Sequence, residues 1–322
     1  MWINFFLFLF LFFLAEILYF RVAEKYNIVD KPNHRSSHDV VTIRGGGVIF
    51  PLAFLVPFAF ALFEGWVFIS IGLAMISIIS LLDDMMNLDS RLRLFVHALA
   101  VILLFTNLPG ALGLVWLIPM FIVITGIINA YNFMDGINGI TALYSIVTIG
   151  TLYWVSEKLF PFMAPVFFVS LLASLVVFSF FNLRKRARCF AGDVGSVSLA
   201  FIICFLVLSL FIRTDFFLWI LLLGIYGLDT VFTIICRILR KEPILKAHRS
   251  HFYQYLVNEY GMDAIKVSII YAMAQLLLNI AVIISYEKNN IWIGFITLLC
   301  FMSLYTIFRL RLEGKYRLFN TY

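Results

Sequence analysis

Charge is scarce in this chain: only 13% of its 322 residues are Asp, Glu, Lys or Arg, against 63% hydrophobic. Soluble domains are nearer one half apolar, so a water-soluble domain is excluded and the chain belongs in a bilayer. No Pro-, Gly- or Ser-rich stretch and no polar block interrupts the recurrence of apolar runs. No linker or boundary is therefore marked, and residues 1–322 read as a single helical membrane domain. The four cysteines, Cys189, Cys204, Cys236 and Cys300, have no C-x-x-C spacing, and three lie inside apolar runs. That excludes a disulfide framework or a zinc site and leaves packing as their role. The opening run Trp2 to Phe20 lacks a basic n-region and a small-residue cleavage site, and reads as a retained helix rather than a signal peptide.

What is abundant is apolar length. A span needs about 20 predominantly apolar residues. Eleven segments offer one: roughly 2 to 20, 45 to 63, 66 to 82, 93 to 107, 111 to 128, 140 to 156, 159 to 181, 196 to 212, 216 to 236, 263 to 285 and 291 to 308. Loop charge tests that count independently. Residues 21 to 44, 83 to 93, 129 to 140, 182 to 195, 237 to 262 and the tail from Arg309 hold 20 of the 24 Lys and Arg, and Lys266 lies beside them. The alternate loops hold Lys158, Arg213 and Lys288. The positive-inside rule makes the first set cytoplasmic, with the N-terminus outside and the C-terminus inside. The net charge of +6 is then topogenic, and nucleic acid is not an expected partner.

Every polar constellation with chemical potential falls in that cytoplasmic set. A channel or transporter needs polar groups at mid-membrane and access from both sides, so the asymmetry favours a one-sided active site. Asp83-Asp84 closes the third span and is followed by Asn87, Asp89, Arg91 and Arg93. Adjacent carboxylates ask for a cation or a proton, and hard oxygen donors suit Mg²⁺; a solvated helix end is the plainer account. Asn129, Asn132, Asp135 and Asn138 recur every three residues and would share one polar face, with Gly136 and Gly139 admitting close approach to the backbone. A helix cap and turn is the alternative there.

Asn182 opens a third block that runs through four cations to Phe190-Ala-Gly192-Asp193. Asp193 reads either as the N-cap of the next helix or as a metal ligand flanked by phosphate-binding groups, with Phe190 offering a face for a base. His248-Arg249-Ser250-His251 sits in the longest loop of the set. Its spacing is weak for zinc and suits a diphosphate clamp. The first loop adds Lys31, Arg35 and Arg44-Gly45-Gly46-Gly47, a basic strip beside a glycine turn.

These blocks, in this order and separated by spans, resemble the polyprenyl-phosphate N-acetylhexosamine-1-phosphate transferases, glycosyltransferase family 4. Its bacterial members initiate O-antigen and other lipopolysaccharide-type glycans or make the first lipid intermediate of peptidoglycan. The likeness runs from about Asp30 to Gln254. It implies an all-α polytopic integral membrane protein of the bacterial inner membrane, with about eleven transmembrane helices and an active site in cytoplasmic loops.

By resemblance, Asp83, Asp84 and Arg93 are catalytic, and Arg93 meets phosphate. Asp193 is the principal metal ligand and Asn132 shares in binding Mg²⁺, or Mn²⁺ in its place. The substrate-binding set is Lys31, Arg35, Asn129, Asp135, Asn138, Asn182, Phe190, His248, Arg249 and His251; within it Phe190 stacks on uracil and Asn138 contacts it. The implied partners are a UDP-N-acetylhexosamine, polyprenyl (undecaprenyl) phosphate and membrane lipid, with a homodimer left open. Departures from the family pattern bear on the sugar. Arg and Lys replace the usual prolines after Asn182, and Tyr253-Gln254 stands where many members carry paired histidines. A muramoyl-pentapeptide substrate is the alternative within the family, and a lipid-linked sugar transporter the alternative outside it. The CDP-alcohol phosphotransferase signature is absent, since Asp135-Gly136 continues Ile-Asn-Gly.

Overall fold

The computed structural model describes residues 2–30, 40–61, 66–86, 88–108, 114–243 and 248–319. The apolar runs have become helices because a bilayer offers no water to unpaired peptide groups, and a helix pairs them within the segment. In chain order these are α1 (Trp2–Lys25), α2 (Ile49–Ala61), α3 (Val67–Met86), α4 (Ser90–Thr106), α5 (Leu114–Met134), α6 (Ile140–Lys158) and α7 (Pro165–Asn182). There follow α8 (Gly192–Thr214), α9 (Gly224–Leu239), α10 (Phe252–Asn258), α11 (Ala264–Glu287), α12 (Ile291–Leu312) and α13 (Gly314–Phe319). Tight 3₁₀ segments occupy Gly46–Val48 and Phe217–Leu223.

Among the described residues, eight segments are long and apolar enough to cross a membrane: α1, α3, α5, α7, α8, the second 3₁₀ segment continued by α9, α11 and α12. The other three expected spans are also helical. Of these α2 has 13 residues, α4 has 17, and α6 carries Glu157 and Lys158 in its last turn. The molecule is thus an all-α polytopic membrane protein. Its axis is α8, with 89% of the span buried, whereas α12 buries 6% and lies at the periphery. Around α8 stand α2, α3 and α5, and α7 joins α1, α2 and α6. Small and hydroxylic residues allow the close approach that lipid does not drive: Ser77 of α3 meets Ser198 of α8 at 2.8 Å, and a Cβ on Gly72 would come within 3.1 Å of the Ala100 carbonyl.

The segment leading into α9 is broken inside the bundle, and the freed peptide groups find side chains. Gln275 of α11 donates to the Leu221 carbonyl at 2.9 Å, and its own Oε1 accepts from the Ile225 N–H at 2.9 Å and the Tyr144 hydroxyl at 2.6 Å. Asn279 continues the chain to Thr151 of α6. Irregular backbone at membrane depth is tolerated where it is satisfied in this way.

At one end of the bundle the loops form a small scaffold. Strands β1 (Val29–Asp30) and β2 (Thr42–Ile43) pair antiparallel, and Ile43 also bridges in parallel to Cys189, in the loop before α8. The Gly46 and Gly47 N–H groups donate to the carbonyls of Phe190 and Ala191 at 2.8 and 3.0 Å. A Cβ on Gly47 would lie 2.3 Å from the Gly195 Cα, so the first turn of α8 rests directly on the 3₁₀ segment. Sequence positions some 145 apart are thereby fixed side by side.

Candidate active site

The loop scaffold aims the first turn of α8 at the C-terminal end of α3. Asp84, whose side chain is fully buried, accepts the N–H groups of Asp193 and Val194 with its two oxygens, at 2.9 and 3.0 Å. It serves α8 as a cap supplied by another helix, satisfying donors that the first turn leaves open. Gly192 just before them has φ +70°, and a Cβ there would meet Asp84 Oδ2 at 2.5 Å, so glycine is required at the junction.

Two guanidinium groups knit the carboxylates together. Arg44 places Nε 2.6 Å from Asp84 Oδ1 and Nη2 3.0 Å from Asp193 Oδ1. Arg93 places Nη1 2.5 Å from Asp83 Oδ2 and 3.4 Å from Asp193 Oδ2. Asp83 also accepts the Leu88 N–H at 2.7 Å, closing the turn between α3 and α4. Burial works against the charge on Arg44, but Asp84 and Asp193 outweigh it and raise its pKa above the usual value. Three carboxylates are thus held by two guanidiniums.

The second block joins through Ser196, whose hydroxyl donates to Asn132 Oδ1 at 2.8 Å. Asn132 is thus set beside the turn that carries Asp193. Asp135 lies just past the end of α5, half-buried, and accepts from the Thr141 hydroxyl at 2.6 Å. Burial pushes its carboxyl up to about 6, with the Thr141 bond pulling downward and the Asp193 charge adding to the rise. Asn182 is buried and fully engaged: Oδ1 accepts the Gly139 N–H at 2.7 Å and Nδ2 donates to the Cys189 carbonyl at 2.9 Å. It braces the second block against the third. Asn138 donates to the Arg184 carbonyl at 2.7 Å and so pins the basic stretch. Asn129 is exposed and its amide donates to the Thr125 carbonyl one turn back.

Between these loops lies a cleft of about 280 Å³, lined by Phe190, Asn138, Gly136, Thr42, Lys185 and Arg186 among others. Phe190 is therefore placed where a flat ring could stack. Behind it, buried Glu16 of α1 accepts from Cys189 Sγ at 3.4 Å and holds the loop from the far side. The histidine loop meets the second block at Phe133. His248 and His251 stack with ring centroids 5.0 Å apart, and Phe133, next to Asn132, lies 5.8 and 6.4 Å from the two rings. Burial, then the neighbouring His251 and Arg237, lower the His248 pKa to about 4, which keeps it neutral. Tyr253 ties this loop to the second block by donating to the Phe133 carbonyl at 2.7 Å.

Asp83, Asp84, Arg93, Asn132 and Asp193 are thus brought together, with Phe190 and Asn138 at the cleft and His248 and His251 against Phe133. Arg249 lies between the two histidines in sequence and follows the same loop. Lys31 and Arg35 lie outside the described residues. Sequence reasoning named Arg44 only as part of a basic strip beside a glycine turn and gave it no role, although it bridges two of the carboxylates; it passed over Glu16, Asp229 and Arg309, charges inside or at the end of apolar runs, which is itself a functional signal.

The model of glycosyl transferase family 4 matches residues 66–211, a stretch that holds Asp83, Asn132 and Asp193. Over that stretch, a little under half its length, the chain is similar to that family, the polyprenyl-phosphate hexosamine-1-phosphate transferases. Among its relatives, a probable undecaprenyl-phosphate N-acetylglucosaminyl 1-phosphate transferase of Bacillus subtilis is 26% identical over 298 residues, covering 85% of this chain and 81% of the relative. An undecaprenyl-phosphate α-N-acetylglucosaminyl 1-phosphate transferase of Thermotoga maritima is 27% identical over 80% of this chain and 83% of its own length. A phospho-N-acetylmuramoyl-pentapeptide-transferase of Lactobacillus acidophilus is 34% identical over 98 residues, 30% of each chain.

Proposed function

We propose that the chain transfers N-acetylhexosamine 1-phosphate from a UDP-sugar to undecaprenyl phosphate, releasing UMP and starting a lipid-linked glycan. The observation that carries this reading is the convergence of Asp193, Asp83, Arg44 and Arg93 beside the cleft that holds Phe190. The relatives that cover most of the chain act on undecaprenyl phosphate and N-acetylglucosamine by name, which favours that hexosamine over the muramoyl-pentapeptide. The charge bias of the loops supports eleven crossings, with the N-terminus outside and the cleft on the cytoplasmic side of the inner membrane.

The donor set fits Mg²⁺. Among the described residues no three His, Cys, Asp or Glu are arranged to hold a metal alone. One or two protein oxygens completed by substrate phosphates is the usual habit of Mg²⁺. Asp193 and Asn132 would hold it, and its charge would ease departure of UMP from the diphosphate. The chain's own residues do the rest. Phe190 stacks on uracil, and Arg93 and Arg44 turn their remaining N–H groups to phosphate oxygens. Asp83 orients the lipid phosphate through Arg93, while Asp84 fixes the start of α8. An oxygen of the lipid phosphate bonds to the sugar-proximal phosphorus as the bond from that phosphorus to the UMP oxygen breaks. Little base catalysis is needed, because a phosphate monoester's second pKa of about 6 leaves it largely ionised at neutral pH. Positioning and charge neutralisation dominate, as in phosphoryl transfer generally.

The lipid tail has a place to lie. An apolar cavity of about 640 Å³ between α5, α8 and the second 3₁₀ segment is lined by Trp116, Met120, Ile124, Ile127, Phe211 and Leu223 among others. It ends at Ile127, about 7.5 Å along α5 from Asn132 at 1.5 Å per residue. The deciding experiment supplies purified protein with polyprenyl phosphate, Mg²⁺ and a panel of labelled UDP-sugars. The transferase releases UMP and, with lipid-linked product present, exchanges labelled UMP into UDP-sugar. Release of UDP, or movement of intact lipid without consumption of UDP-sugar, would overturn the reading.

A further inference from the structure

A carboxylate buried inside a membrane bundle needs a reason, and Asp229 of α9 is fully buried. Five donors converge on it. The Phe252 and Tyr253 N–H groups, at 3.1 and 3.4 Å, open α10, and the hydroxyls of Tyr271 and Thr233 approach to 2.5 and 3.2 Å. The fifth is His251 Nδ1, at 3.1 Å from Asp229 Oδ1. An ionised carboxylate only accepts, so Nδ1 carries the proton and the ring's orientation is fixed.

The other ring nitrogen is the unexplained part. His251 is 2% exposed, and its Nε2 has no hydrogen-bond partner. Buried polar atoms are nearly always paired, and one that is not asks for a ligand. The His251 ring packs against those of His248, Phe133 and Tyr253, and Phe133 directly follows Asn132, the residue joined to the α8 turn through Ser196. Arg309 of α12 secures the loop from a second helix. Its Nη2 donates to the Ser250 carbonyl at 2.9 Å and its Nη1 to Thr233 Oγ1 at 3.0 Å, so Asp229, Thr233, Arg309 and Ser250 close a ring behind His251.

We propose that Asp229 is a positioning residue that presents His251 Nε2 to a phosphate oxygen of the substrates. With Nδ1–H held by the carboxylate, protonation of Nε2 gives an imidazolium whose charge Asp229 balances, and Nε2–H then donates to an anionic oxygen. The nucleotide diphosphate and the lipid phosphate share that chemistry. A carboxylate behind a histidine fixes tautomer and direction in this way in catalytic and metal-binding histidines generally. The inference rests on the transferase reading.

A double-mutant cycle tests it with purified full-length protein. Asp229→Asn keeps the shape and one acceptor for the α10 N–H groups but faces His251 Nδ1 with an amide. Turnover should fall about 10- to 100-fold, the range for orienting partners of working histidines. In a His251→Ala background the same substitution should cost almost nothing, since residues that act as a unit are not additive. Separate KM values locate the oxygen: a rise for UDP-sugar assigns it to the diphosphate, and a rise for polyprenyl phosphate to the lipid. In ¹⁵N-histidine NMR, one resonance, identified by its loss in His251→Ala, should leave the Nδ1–H tautomer in Asp229→Asn. Equal losses from Asp229→Asn in both backgrounds would make Asp229 a cap for α10 and nothing more, and so would an unmoved resonance. If wild-type protein performs no UMP exchange, the transferase reading fails instead, which keeps the two ideas distinguishable.

Discussion

Asp84 and Asp193 stand 109 residues apart, yet the carboxylate of one accepts the backbone N–H of the other at 2.9 Å. The pair couples the C-terminal end of α3 to the first turn of α8. Its neighbour Asp83 does different work, since it pairs with Arg93 and accepts the Leu88 N–H rather than capping the helix start.

The adjacent aspartates should therefore part company under mutation. Asp84→Ala removes both acceptors for α8 and leaves Arg44 with half its partners; loss of a cap alone costs about 1 kcal/mol. The melting midpoint of detergent-purified protein should drop together with activity. Asp83→Asn should keep a near-native midpoint and bind nucleotide while losing UMP exchange. A stable, fully active Asp84→Ala would refute the capping role.

Arg44 should behave as a bridge rather than a surface cation. Arg44→Ala leaves two carboxylates short of a counter-charge. Breaking a fully buried pair costs 3–5 kcal/mol, and because the Arg44 side chain keeps 30% exposure the expected loss is smaller, on the order of 1–3 kcal/mol. Arg44→Lys should recover little, since one ammonium cannot span Asp84 and Asp193 as a forked guanidinium does. Thermal unfolding of the three proteins, read beside their transfer rates, settles the point; wild-type behaviour of the lysine variant would contradict it.

Phe190→Ala should weaken UDP-sugar binding about 5- to 150-fold, the equivalent of the 1–3 kcal/mol that base stacking on an aromatic provides. The KM for polyprenyl phosphate should stay near its wild-type value. Equal effects on both substrates would move Phe190 from the nucleotide side to general support of the loop.

For the arrangement across the membrane, exposed Lys185 and Asn289 are suitable reporters, because Cys189 itself is buried and would resist labelling from either side. With exposed Cys300 replaced by serine, a cysteine at 289 should react with an impermeant thiol reagent in intact cells. One at 185 should react only after permeabilisation. The reverse pattern would invert the orientation.

The helices were legible because a bilayer makes apolar length nearly sufficient evidence for helix. Legibility weakened where the pattern mixed: α6 carries Thr141, Ser145, Thr148 and Thr151 facing the bundle, which lowers its hydropathy without breaking the helix. The short helices α10 and α13 were read only as loop and tail, being too brief for either span length or periodicity to register. At the site, residue types at fixed spacing marked Asp83, Asp84, Asn132, Phe190 and Asp193. What spacing could not mark was division of labour. Asn182 looks like its neighbours in the sequence but has both amide functions bound to backbone. Arg44 looks like an ordinary loop cation until β2 and the glycine turn deliver it to a residue 149 positions away. Asp229 and Arg309 belong to apolar helices, and their purpose depends on a loop whose path no local pattern specifies.

The broken segment before α9 also bears on how the chain matches its membrane. Seven residues of 3₁₀ helix rise about 2.0 Å each rather than 1.5 Å, so Phe217–Leu223 reaches about 3.5 Å farther than the same residues would as α-helix. That increment is comparable to the difference in hydrocarbon thickness between thin and thick biological bilayers. Gln275 makes the stretched form stable by serving both the carbonyl and the N–H released at the junction. The segment thereby lengthens the wall of the apolar cavity formed by Phe217, Ile220 and Leu223.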